Sequence, residues 1–327
     1  MLEIFARCNS WLSQHMFFVV LSALLFGFTS PLPQAPLLNT IAVVLFAYMT
    51  FVTALETNYK SFFHVLTRPW VTLWMLLLIH GVMPLVAWLI GLLFYPQSEL
   101  TRLGFLIGAS VPIGVTSVIW TSITRGDVSQ ALVAVTADTL ISPLLLPVFI
   151  LLVAGQTVHV YYGQMMMELL LMVTIPSFLG MAVNAWTHGS LAGFTRSAGG
   201  FTSKLALFGV ILINASAIAP EINWNSSLLK MLLTILFISV SGYYLGYAGS
   251  YALKERRRDT VATMVYNVGM RNISFGSVLA VTYFPPAVAI PVTLAMLYQQ
   301  PLAAVVSYLF HRFDRLSMTK GRTKGRG

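Results

Sequence analysis

Charge is what this sequence has least of. Only 9% of its 327 residues are Asp, Glu, Lys or Arg, where a soluble domain carries about 25%. Cysteine is scarcer still: Cys8 stands alone, which excludes an internal disulfide framework and any cysteine-rich metal site. No Ser/His/Asp, HExxH or glycine-rich phosphate motif is present, so an enzyme is not the expected class. The first sixteen residues lack a basic stretch leading to a cleavage site, so no signal peptide is expected. They place Leu2, Phe5, Trp11 and Leu12 among polar residues, as suits a short helix lying at an interface.

What is abundant is apolar surface. Hydrophobic residues make up 57% of the chain and the mean hydropathy is +0.80. These values describe a polytopic, all-α membrane protein, because lipid leaves the backbone no partner but itself. The net charge of +9 does not signal nucleic acid. Its basic residues sit in short loops and the tail, where anionic lipids and topology explain them.

Spanning a bilayer takes about 20 apolar residues. On that measure ten segments are expected: 15–28, 39–55, 70–94, 103–124, 128–154, 162–186, 204–219, 228–253, 259–284 and 286–310. An even number puts both termini and the even-numbered loops on one face. That face collects Arg7, Lys60, Arg68, Arg125, Arg196, Lys204, Lys254, Arg256, Arg257, Arg258 and six residues from Arg312 to Arg326. The other face holds Arg102 and Lys230 alone. The positive-inside rule therefore makes both termini cytoplasmic, in a plasma (inner) membrane. Residues 313–327 form a basic tail, expected to lie disordered on the lipid surface from Met318 onward.

Halves 1–155 and 156–312 hold five spans each, so the second enters the membrane inverted. The fourth span of each is interrupted, at Ser110-Val111-Pro112-Ile113-Gly114 and at Asn267-Val268-Gly269. Paired interruptions in inverted halves point to a transporter's binding site. Pro112 and Gly114 break one span ahead of Thr116 and Ser117, and Gly269 breaks the other ahead of Asn272 and Ser274. The amide-bearing start of each second half-helix carries partial positive charge, suited to an anionic group.

Arg271 adds a full charge at bilayer depth, where a lone arginine is costly and faces a cavity or a partner. Its nearest expected counter-ion is Asp138, which shares a helix face with Ala131 and Val135. Glu168 and the lone His80 are expected to be an interfacial acid and a hydrogen-bonded core residue. Gly242, Gly246 and Ser250 form a small-residue ridge that invites a close neighbour, and Tyr243, Tyr244, Tyr247 and Tyr251 read as packing and interface residues.

With these spans placed, the sequence resembles the bile acid:sodium symporter family along essentially its whole length. The likeness rests on Pro112-to-Ser117, Arg125-Gly126, Asp138-to-Pro143, Gly269-to-Asn272, Ile290-Pro291 and Gln299-Gln300. It implies a panel of spans one, two, six and seven and a core of spans three to five and eight to ten. The broken fourth and ninth helices would cross in that core. Between core and panel a small organic anion would bind, with Gly114, Thr116, Ser117, Asn272, Ser274 and Gln299 as substrate-binding residues. The family's sodium ligands are a serine–asparagine pair, span-five hydroxyls, a span-three glutamine, and a glutamate and glutamine flanking Val-Gly-Met. Here those places hold Ser117 and Val118, Ala131 and Val135, Ile79, Asn267 and Arg271. Alkyl groups offer no lone pair and a guanidinium repels sodium, so both ion sites are expected to be lost.

The expected function is a secondary carrier of small organic anions without sodium, Arg271 standing in for the bound cation and a proton remaining as an alternative coupling ion. No cofactor or resident metal is expected. Competing readings are a sodium symporter with altered ion sites and a transport-inactive sensor of the same fold. Neither the substrate nor the oligomeric state is legible.

Overall fold

The computed structural model describes residues 2–56, 69–154, 161–222 and 224–324. Lys60 and Arg68, counted above for topology, and the boundary between halves at 155–156 lie outside them. Among the described residues every element is a helix. They run α1 (Leu2–Gln14), α2 (Met16–Thr29), α3 (Pro36–Ala54), α4 (Pro69–Phe94), α5 (Glu99–Ser110), α6 (Thr116–Ile123) and α7 (Val128–Ala154). Then follow α8 (Tyr162–Trp186), α9 (Ala192–Glu221), α10 (Ser226–Ala252), α11 (Arg258–Gly269), α12 (Ile273–Tyr283), α13 (Pro286–Leu294) and α14 (Met296–Lys324).

Seven of these spans are long and apolar enough to cross a membrane: α3, α4, α7, α8, α9, α10 and the α13–α14 run. An eighth is reached when α1 and α2, bent by 78° at His15, are taken together. The chain is an integral membrane protein. The expected first, fourth and ninth spans fall outside the count of seven for one reason. Met16–Thr29 has only 14 residues, and the other two are divided at their breaks into helices of 12 and 8 and of 12 and 11 residues. Large apolar side chains such as Leu93 and Leu152 stand exposed along the helices, as lipid contact requires.

Each break follows from its residues. Proline disfavours helical backbone in the residue before it. Val111 accordingly turns extended ahead of Pro112 (φ −65°, ψ 155°) and α5 stops at Ser110. After α11, Met270 is extended (φ −103°, ψ 124°), and Asn272 caps α12 by accepting from the Phe275 amide at 3.2 Å. Helix α14 departs from expectation, continuing to Lys324 where a disordered tail was expected. No proline follows Pro301, and Gly321 costs a helix only about 1 kcal/mol. Residues 325–327 lie outside the described range.

Two packing groups surround the breaks. Helix α9 packs chiefly on α3 and α2, and α3 also on α8, while α10 packs on α11, and α5 on α4 and α13. Helix α10 approaches α11 closely. A Cβ added at Gly246 would stand 2.6 Å from the Met264 carbonyl oxygen and 2.8 Å from the Val265 Cα. The ridge of small residues serves the neighbour it was expected to admit. Gly246→Ala is expected to destabilise the protein by about 1–3 kcal/mol, since backbone cannot move aside. Gly193→Ala, with nothing within 4 Å, should be neutral in the same thermal unfolding assay.

Candidate functional site

The two breaks meet. Ile113 and Arg271 form an antiparallel bridge, in which the Gly114 amide donates to the Met270 carbonyl at 3.0 Å and the Asn272 amide to the Pro112 carbonyl at 2.7 Å. Helix-breaking residues thus satisfy each other's freed backbone groups, as hydrocarbon demands. Gln299 on α14 locks the junction, its Nε2 donating to the Arg271 carbonyl at 2.6 Å.

Against this junction lies a cavity of about 350 Å3. One wall is built from the breaks and α7, with Gly114, Thr116, Thr136, Thr139, Asn272, Ser274 and Gln299. The facing wall comes from α2, α3, α8 and α9, with Thr50, Thr53, Ser177, Ser203 and Lys204. Five of the six expected substrate residues therefore share one cavity. The sixth, Ser117, does not: it is fully buried, and its hydroxyl donates to Asn267 Oδ1 at 3.0 Å. The start of α6 and the start of α12 both open on the cavity, as a site for anionic groups needs.

Lys204 is the site residue that sequence reasoning missed, having counted it as a cytoplasmic-face charge. It lines the cavity from the middle of α9, with Nζ donating to Asn9 Oδ1, and Glu56 lines the same space. Its place just inside a predicted span, rather than in the loop, was the available signal.

Arg271 is 6% exposed and both terminal guanidinium nitrogens lack a hydrogen-bond partner among the described residues. It does not line the large cavity; with Tyr243, Gly269 and Gln299 it lines a smaller one of about 50 Å3 behind the junction. The pair expected between Arg271 and Asp138 is not formed. Asp138 is fully buried and engages His80 Nε2, the Ile113 amide at 2.6 Å and the Ser142 hydroxyl at 3.0 Å. The Pro112 break frees that amide, and a π-helical turn at Leu78–Val82 carries His80 to the carboxylate. Glu168 accepts from Gln164 Nε2 at 2.8 Å and from the Tyr283 hydroxyl.

The positions where the family resemblance implies sodium ligands carry mostly apolar side chains. Ile79 and Val135 pack with Met75, Ile113, Ala134, Met264 and Val268 in one apolar cluster. Asn267 turns its amide nitrogen to the Ala131 carbonyl at 3.4 Å and its oxygen to Ser117. These side chains do not fit a cation's demand for converging oxygens.

Residues 42–227 match the sodium bile acid symporter family. A Bacillus subtilis protein described as "Uncharacterized protein YbaS" is 40% identical over 271 residues, covering 83% of this chain and 88% of the relative. This chain belongs to the sodium bile acid symporter family. More distant members include "Uncharacterized sodium-dependent transporter YocS" of Bacillus subtilis, 23% identical over 78% of each chain. The "Hepatic sodium/bile acid cotransporter" of Rattus norvegicus is 24% identical over 75% of this chain and 69% of its own. Symporter family membership makes the chain a membrane transport protein of that family and not an enzyme, consistent with a bridged pair of broken helices at a cavity.

Proposed function

We propose that this family member is a sodium-independent secondary transporter of small organic anions. Ten transmembrane helices in two inverted repeats of five would carry it, α5–α6 and α11–α12 being the discontinuous fourth and ninth. Alternating access would move the α4–α7 and α10–α14 core against the α2, α3, α8 and α9 panel, with the substrate in the cavity between them. The observation that carries this reading is the filling of the family's ligand positions by Arg271, Asn267 and the Ile79–Val135 apolar cluster. Arg271 supplies as a fixed charge what a bound cation supplies in sodium-coupled relatives. Lys204, Ser203, Thr50 and Ser177 give the panel side of the cavity polar groups suited to a carboxylate or sulfate. Anionic lipids would meet the basic loops and tail.

Thermal stabilisation by a panel of organic acids, with and without sodium, identifies a transported probe. Uptake of that probe into proteoliposomes is then expected to be unchanged when sodium is replaced by potassium or choline. Collapse of uptake on replacement would establish the second reading, a sodium symporter with altered ion sites, which the "sodium-dependent" description of YocS favours. Binding without saturable flux would mark a sensor.

A further inference from the structure

We propose that His80 and Asp138 form a proton-binding site that couples protonation to the junction of the broken helices. This rests on the sodium-independent reading and adds the ion that replaces sodium.

Asp138 lies midway along α7 with no exposed surface, where a charged carboxylate is costly unless it is hydrogen-bonded. Its side chain meets His80 Nε2 and the Ile113 amide, and Ser142 Oγ, which donates to the Asp138 backbone carbonyl at 2.6 Å, also stands 3.0 Å from Oδ1. The proton enters on the imidazole, whose side chain keeps 11% of its surface exposed where Asp138 keeps none, and makes Nε2–H a cationic donor to Asp138 Oδ1. Uptake and release each move one proton and no electrons. Histidine is the side chain whose ordinary titration range spans physiological pH.

The link to transport is the third donor. Ile113 is the residue whose backbone bridges Arg271, and its neighbours Pro112 and Gly114 line the substrate cavity. An imidazolium that draws the carboxylate charge toward Oδ1 leaves Oδ2 a poorer acceptor for the Ile113 amide. Protonation therefore loosens one strand of the junction on its cavity side. A charge near the pair is the guanidinium of Arg271, which interacts with Asp138 across space. Helix α11 sets the uncharged Asn267 against α7, its amide nitrogen donating to the Ala131 carbonyl at 3.4 Å.

The test needs no substrate. The single native cysteine is removed as Cys8→Ser, and an environment-sensitive fluorophore is placed through Ile119→Cys, which is 53% exposed and lines the cavity. In lipid vesicles its emission is expected to change with pH in a single step. Asp138→Asn should flatten the response, and His80→Gln should move the midpoint by at least tenfold in proton concentration. Glu168→Gln should leave it in place. His80→Gln decides the matter should Asp138→Asn fail to reach the membrane. A flat response in the unsubstituted protein, or an unmoved midpoint in either variant, overturns the proposal. Exchange of sodium for potassium at fixed pH is the separate arm: an emission change there overturns the sodium-independent reading and leaves the proton site to the pH titration.

Discussion

Replacing Arg271 with methionine is expected to make the protein more stable and its transport weaker. Both terminal guanidinium nitrogens are buried without a hydrogen-bond partner among the described residues, so removing the side chain relieves a desolvation cost that Asp138 offsets only across space. Exchanging buried charges for apolar side chains of similar volume stabilises proteins by about 1–4 kcal/mol in favourable cases. The loss falls on the anion. At an effective dielectric of about 20 and a separation on the order of 10 Å, two unit charges attract by about 1.7 kcal/mol, or roughly tenfold in affinity. Differential scanning fluorimetry and probe affinity should therefore move in opposite directions. A variant less stable than the parent would show that Arg271 holds the junction together, and unchanged affinity would remove it from the anion site.

Gly114→Ala is expected to be the most damaging single methyl group that can be added near the cavity. A Cβ there would stand 2.8 Å from the Arg271 carbonyl oxygen, 3.1 Å from its carbon and 3.1 Å from Gln299 Nε2. Backbone faces backbone, so relief requires opening the bridge, at about 1–3 kcal/mol for the overpacking alone. The added methyl also separates Gln299 from the carbonyl it secures. Near-complete loss of uptake is the expected result, with membrane insertion retained. Gly163→Ala, with nothing within 4 Å, supplies the control. Normal uptake by Gly114→Ala would show that the two breaks need not stay bridged during transport.

The legibility of the chain varied with the kind of signal. Helices α7 and α8 begin and end where the apolar runs do, because lipid imposes length on any span. Pro112 and Gly269 revealed the breaks because each acts on its own backbone. The face of α7 carrying Ala131, Val135 and Asp138 was also legible, and it does meet α11, where Asn267 reaches the Ala131 carbonyl. The partner of Asp138 was not. Periodicity of 3.6 places residues on faces of regular helix, but His80 sits in a π turn whose extra residue shifts the register. Lys204 was hidden for a different reason. A lysine at the start of an expected span counts equally as a topology signal and as a cavity group, and only the packing of α9 against α2 and α3 separates them.

One consequence concerns membrane voltage. Arg271 cannot leave the protein, so any core that moves must carry it in both directions, together with Asp138. Empty, the two formal charges cancel. Loaded with one proton and one monovalent anion, they cancel again. A charge crossing the full field gains about 2.3 kcal/mol per 100 mV, and a carrier built this way forgoes that drive. Under the proposed proton coupling, accumulation would be limited by concentration gradients alone, and transport would be electrically silent in a membrane of either polarity.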